Sequence, residues 1–376
     1  MVSAVGAAML LSNTGAIVAS VFTGPRLHRA MGIYLASVSI GQLLGPIAGG
    51  TVAEYLGWRA VFWAQVPLAL LCLLLGAVHL RALPDRPDGD RSVDVVGAVV
   101  LAGALVSLLL GISAVQTAGP ADLRVIGGLA VSLLLFLVLI PVERRAKVPV
   151  LPFRLFRNRD FTVANIASLL SVMPRFTLVT LLGLWFQAAV DDTALQAGLK
   201  LVPLAAGVAI GSVGADALGR TWGVLQRSTV VPNLLMVLGL VPLGLGLRAG
   251  ADHWVLGAAL FVVGLGGGLF TTINASTIIG SAPVQDVGSV NGIRLTILNI
   301  GIALSTVSGL AIATSALPVV QRADFFAAEL TGDAAVELLR TGFDRVVLVM
   351  IGLALLSALM TALAPTRTQG ASRGRD

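Results

Sequence analysis

Long unbroken apolar runs, separated by short segments that hold most of the charge, recur eleven times along this chain. They fall at 3–21, 30–53, 59–80, 93–115, 123–142, 161–187, 196–217, 228–248, 253–280, 288–316 and 343–364. Each approaches or exceeds the roughly 20 residues that carry a helix across the hydrocarbon core of a bilayer. The runs are continuous rather than alternating, unlike barrel strands. A segment surrounded by lipid must satisfy its own backbone, so each run is predicted to be helical. Two connections are longer than the rest: a basic linker at 143–160, and 317–342, where a short helix is expected around Ala327–Leu339.

Composition strengthens this picture. Of 376 residues, 56% are hydrophobic and 12% charged, with a mean hydropathy of +0.94. A water-soluble domain carries about 25% charged residues, so much of this surface is built for lipid. The lone Cys72 excludes an internal disulfide and a thiolate metal cluster. Met1 leads into apolar sequence without a basic segment, which does not read as a cleavable signal peptide. His28, His79 and His253 stand apart at span ends, so no metal site and no cofactor is expected. No Ser/His/Asp set can be assembled, and an enzyme reading finds no residues. Gly264-Leu-Gly266-Gly267-Gly268 superficially resembles a phosphate loop, but it lies inside an apolar span with no preceding strand or Lys, and reads as helix packing.

The net charge of +6 would suit nucleic acid, but the placement of the charges argues for topology instead. If the spans alternate, one set of loops and the tail holds sixteen Lys/Arg, including Arg144, Arg145, Lys147, Arg154, Arg157 and Arg159 in the linker. The other set holds six: Arg59, Arg124, Lys200, Arg248, Arg322 and Arg340. Basic residues mark cytoplasmic loops. The C-terminus is therefore expected inside and Met1 outside.

In the second run the sequence reads Gly41-Gln-Leu-Leu-Gly45-Pro46-Ile-Ala-Gly49-Gly50. Gly41, Gly45 and Gly49 form one helical stripe along which a neighbour can approach, and Pro46 removes a backbone donor and kinks the helix. A GxxxG pair alone would be an ordinary packing face; the full GxxxGPxxGG string is more specific. It resembles the antiporter motif of the major facilitator superfamily, carried on the fifth span of drug exporters. Thr23–Gly32 is similar to the basic loop before that span. Trp58-Arg59-Ala-Val-Phe62-Trp-Ala-Gln65-Val-Pro67 is similar to the segment after it, with Gln65 where Asn is usual. The linker Glu143–Phe161 and Gln196-Ala-Gly198-Leu-Lys-Leu-Val-Pro203 resemble the 14-span drug:proton antiporter branch. Asp216-Ala-Leu-Gly219-Arg220 resembles a degraded DRxGRR loop motif, and these residues are candidates for an intracellular gate.

The resemblance implies an all-α polytopic membrane protein with the major facilitator fold, of about 11 helices in a 3 + 2 + 6 arrangement. Residues 1–80 would be three spans of the N-terminal bundle, 81–142 two extra spans, 143–160 a cytoplasmic linker, 161–365 the C-terminal six-span bundle and 366–376 a tail. Eleven is then fourteen minus three: Val5-Gly6-Ala7-Ala8 resembles the fourth span, and the first three spans, with their acidic residue, would precede Met1. The implied activity is export of small amphipathic drugs or antibiotics by proton antiport in a bacterial plasma membrane, by a monomer, with the proton gradient as driving force. The competing expectation is a shortened, non-transporting remnant, inactive unless extended.

Substrate in such a fold is expected near mid-bilayer, among polar side chains within the spans. Arg175, beside Pro174 in the middle of 161–187, is the leading candidate. It reads either as a cavity cation that binds an anionic group or biases a proton site, or as a structural contact to carbonyls freed near the proline. Asn13, Asn165, Gln187, Asn274 and Asn299 are further candidates, each also readable as an interhelical hydrogen bond. Arg294 reads as snorkelling to the cytoplasmic interface. No span carries an Asp or Glu at mid-depth, so no proton-coupling acid is assigned.

Overall fold

The structure is a computed structural model. It describes scattered positions from 6 to 45, then 48–79, 94–118, 122–146, 154–190, 192–221, 229–280, 287–318 and 333–363, with Pro149 and Arg322. Nine long helices lie among these residues: α1 (Trp58–His79), α2 (Val95–Ala118), α3 (Leu123–Arg145), α4 (Arg159–Ala189), α5 (Ala194–Thr221), α6 (Val230–Ala249), α7 (His253–Gly280), α8 (Val287–Ala313) and α9 (Asp333–Ala362). All nine contain a stretch long and apolar enough to cross a bilayer. Before α1, residues 48–56 are helical, as are described positions in both of the first two apolar runs, including Thr14, Tyr34, Gly41 and Gly45. The all-α, roughly eleven-span reading therefore stands.

Helix ends follow local chemistry. The Asp94 carboxylate accepts from the Gly97 N–H (2.8 Å) at the start of α2, and Asn158 Oδ1 accepts from the Asp160 N–H (3.0 Å) at the start of α4. Gly57, at φ 83°, separates the 48–56 helix from α1, and Gly250, at φ 63°, closes α6. One expectation is corrected. The short helix placed around Ala327–Leu339 is not separate where the structure describes it: residues 333–342 run straight into the last span as α9. Leu339 and Phe343, one turn apart, are both buried, and Phe343 packs on Trp185. That packing holds the helix on through Gly342, where the chain passes so close to the Ala313 carbonyl that no side chain fits.

Helices α4–α9 form a bundle with α4 at its centre, in contact with α5, α7, α8 and α9. The α2–α3 pair meets α8. Lipid supplies no hydrophobic drive for helices to associate, so close backbone approach has to supply the attraction. Glycines provide it. In α2–α3, a Cβ on Gly128 would lie 2.6 Å from Gly111 Cα. In α5–α7 the arrangement is reciprocal: Gly207 and Gly211 of α5 face the backbone of α7 at Phe261 and Leu265, while Gly264 and Gly268 of α7 face the carbonyls of Leu204 and Val208. The run Gly264–Gly268 is thus packing surface, as its sequence setting implied. It serves three neighbours, since a Cβ on Gly266 would meet the Pro232 carbonyl of α6 at 2.5 Å and one on Gly267 would meet Arg175 of α4. By contrast, α1 is largely exposed along its apolar window, a surface suited to lipid.

A candidate transport site centred on α4

Two ends of the bundle are useful landmarks: the proximal end, where α4, α6 and α8 begin, and the distal end, where α5, α7 and α9 begin. Helix α4 is 31 residues long and passes through Pro174 without ending. It contacts α5, α7, α8 and α9, and it carries Arg175 at mid-length.

Arg175 sits there with 7% of its surface exposed. Its side chain lies across Gly267 of α7, where a Cβ would come within 2.7 Å of Cδ and 3.3 Å of Nε. The guanidinium carbon is 5.6 Å from the ring of adjacent Phe176. Nε is enclosed and has no hydrogen-bond partner among the described residues. The contact to carbonyls near Pro174, one of the two sequence readings, is not made by any described residue.

The polar residues around α4 divide into bridges and self-contacts. Asn274 bridges, its Nδ2 donating to the Ala164 carbonyl of α4 at 3.0 Å. Asn165, Gln187 and Asn299 instead donate to carbonyls of their own helices, at Phe161, Gly183 and Leu295, each at 2.8 Å. The interhelical reading therefore gives way for these three. An amide side chain in a helix reaches the carbonyl four residues back without any neighbour, and that local bond competes with an interhelical one. Asn299 is exposed and Gln187 half-buried, whereas Asn165 is fully buried. Asn13 lies outside the described residues, as does Pro46. Asp216, Gly219 and Arg220 fall in the final turns of α5, with their side chains outside the described set. Arg294 does not snorkel: it is buried, and its Nε and Nη2 donate to Asn291 Oδ1 at 3.2 and 3.1 Å.

A buried network escaped the sequence reading. Ser171 Oγ donates to Asn233 Oδ1 (2.9 Å), Asn233 Nδ2 donates to Ser357 Oγ (3.0 Å), and Ser357 Oγ donates to the Ala167 carbonyl (3.1 Å), tying α4, α6 and α9 together. Thr177 Oγ1 donates to the Ser305 carbonyl of α8 at 3.1 Å. Small polar residues in the middle of apolar spans were the available signal, but nothing in one sequence says which of them meet. Interhelical hydrogen bonds in a membrane average about 0.6 kcal/mol. Asn233→Ala breaks two and leaves a small void, so a loss of about 1–2 kcal/mol is expected. Thermal unfolding of the purified protein in detergent should show Asn233→Ala melting below wild type, and Ser171→Ala, which removes one of those bonds, closer to it.

At the distal end the N-terminal segment contacts the bundle. A Cβ on Gly50 would lie 2.9 Å from the Ala194 carbonyl and 3.0 Å from Leu195 Cα, at the start of α5. Thr193 Oγ1 donates to Glu54 Oε2 at 2.9 Å. Ion pairs Lys200–Asp192 and Arg248–Asp344 (2.7 Å) lie at the same end. The motif glycine that makes this approach is Gly50, off the Gly41–Gly45–Gly49 stripe; the stripe itself faces no described residue within 4 Å.

Helix α4 with its buried cation and the glycine contacts among its neighbours make up a polytopic helical bundle. The sequence matches the family model of the Major Facilitator Superfamily over residues 1–306. The chain belongs to this superfamily. Among its relatives, the riboflavin transporter RibZ of Clostridioides difficile is 29% identical over 81% of this chain and 64% of its own length. The tetracenomycin C resistance and export protein of Streptomyces glaucescens is 29% identical over 76% and 52%. The cephamycin export protein CmcT of Amycolatopsis lactamdurans is 29% identical over 97% and 73%. The chain thus spans about half to three-quarters of the length of these relatives. As a member of the superfamily it is a multi-pass membrane protein.

Proposed function

We propose that this chain acts in the export of small amphipathic drugs or antibiotics, by alternating access between an N-terminal helical segment and the α4–α9 bundle. The observation that carries the reading is the seat of Gly50 on the α5 N-terminus. That contact supports a junction between the antiporter-like helix and the bundle, where a rocking motion would open and close a path. The names of the tetracenomycin and cephamycin relatives support an antibiotic-like substrate. Residues 1–80 and 161–365 are assigned to the two bundles, 81–142 to two extra spans, 143–160 to a cytoplasmic linker and 366–376 to a cytoplasmic tail, following the loop charges. The proximal end then faces the cytoplasm, and the distal contacts close the outer side. Arg175, Asn165, Asn274, Gln187 and Asn299, with Asn13, are assigned to the cavity, and Asp216, Gly219 and Arg220 to the inner gate. Proton antiport by a monomer in the bacterial plasma membrane is the mode that the family resemblance implies.

The test is drug accumulation in an efflux-deficient bacterial host expressing the chain. At least one of a panel of polyketide, β-lactam and dye substrates should accumulate several-fold less than in the empty host. Collapse of the proton gradient should abolish the difference. Equal accumulation across the panel, with the protein folded in the membrane, rejects the export reading.

A further inference from the structure

We propose that Arg175 is an anion-binding residue at the centre of the α4–α9 bundle, and that the chain accepts amphipathic organic carboxylates there. The inference deepens the export reading and rests on it for the site's place in transport, but the binding itself can be tested apart from transport.

The argument starts from what a guanidinium at mid-depth requires. Arginine at the centre of a span costs about 2.5–3.5 kcal/mol on insertion scales, and a buried charge is normally paired. Arg175 is 93% buried by its 7% exposure, and its enclosed Nε has no partner among the described residues. None of the described residues offers it a carboxylate at its depth. Along the sequence the nearest acids are Asp160, fifteen residues before it, and Asp191, sixteen after, spacings that amount to about 20 Å or more of helical rise. Helices α6 and α7 contain no acid. On α9, Asp344 is already paired with Arg248 at the distal end. The apolar runs between residues 3 and 53 contain no Asp or Glu either.

A second observation is independent of charge. The Gly264–Gly268 run packs its other members against backbone, but Gly267 faces only the Arg175 side chain. A Cβ there would press on Cδ at 2.7 Å, so glycine at 267 clears a bed for the arginine stem. The stem is held, and Nε of the head has no partner among the described residues. A planar guanidinium held in this way matches a carboxylate through two parallel N–H···O bonds, and Lys would not reproduce that geometry. In a site of low dielectric the pair is stronger than in water, and the incoming carboxylate supplies the missing counter-charge.

The experiment is equilibrium binding to the purified chain in lipid nanodiscs at pH 7, using radiolabelled arylcarboxylates of one to four fused rings, each against its own carboxamide. At least one carboxylate is expected to bind tenfold or more tightly than its amide. Arg175→Gln should remove that preference while leaving amide binding within about twofold, and Arg175→Lys should restore part of it. If Arg175→Gln does not fold, Gly267→Leu displaces the stem without removing the charge and should weaken carboxylate binding several-fold. Equal binding of every carboxylate and its amide by wild type, or a preference that survives Arg175→Gln, overturns the proposal. No proton gradient is applied, so carboxylate preference without drug efflux would sink the export reading alone, and efflux without carboxylate preference would sink this one alone.

Discussion

Gly268→Leu is expected to abolish accumulation of folded protein, whereas Gly257→Ala on the same helix is expected to be tolerated. Both glycines lie on α7. A Cβ at Gly268 runs into the Val208 carbonyl and comes within 2.9 Å of the Ser212 nitrogen of α5, so the obstacle is backbone, which cannot rotate away. At Gly257 the nearest atom is Pro203 Cγ at 3.4 Å, an ordinary contact. Overpacking a well-packed core costs about 1–3 kcal/mol. Here the α5–α7 interface depends on four interlocking glycines, so separation at one would loosen the other three. The expected loss therefore lies at or above the top of that range. Fluorescence-detected size exclusion of tagged variants checks it: a monodisperse peak for Gly268→Leu at wild-type yield would contradict the packing argument.

Gly50→Val should act differently, on transport rather than on folding. The side chain would have to push the 48–56 helix away from the Ala194 carbonyl. That junction has little buried apolar surface around it, and Glu54–Thr193 is an exposed hydrogen bond. The α4–α9 bundle would keep its own core, including the cluster around Leu240, Leu260 and Met350. Efflux measured as above is expected to fall at least tenfold, with yield and melting temperature close to wild type. Gly41→Ala, where no described atom lies within 4 Å of the added Cβ, should keep most of the activity. If both variants transport equally, the Gly50 contact is not part of the cycle.

The contrast between these two sites also marks how far a single sequence can be read. Both belong to glycine-rich strings that stand out in an apolar chain. The string at 41–50 identified the superfamily, yet its regular stripe was not the contact the structure describes, and Gly50, one position off it, was. The string at 264–268 was rightly read as packing, but its partners on α5, and the reciprocal Gly207 and Gly211, emerge only when the two helices are set side by side. Sequence spacing shows that a helix has a narrow face. It does not show which neighbour comes to it.

Polar residues tell the same story. Arg175 was legible because charge at mid-span is rare and costly, and its position follows from counting residues. Asn165, Gln187 and Asn299 were equally visible, but an amide can bond its own helix or another, with similar geometry and opposite meaning. Asn233 and Ser357 drew no notice, and they turned out to join three helices. The spans, their helical character and the alternation of loop charge were determined by the sequence itself, because a bilayer imposes length, apolarity and backbone satisfaction on every crossing segment separately. Which helix became central, which glycines touched backbone and which polar groups found partners were decided only in the tertiary structure, because lipid and protein interior are equally apolar and only close fit distinguishes one neighbour from another.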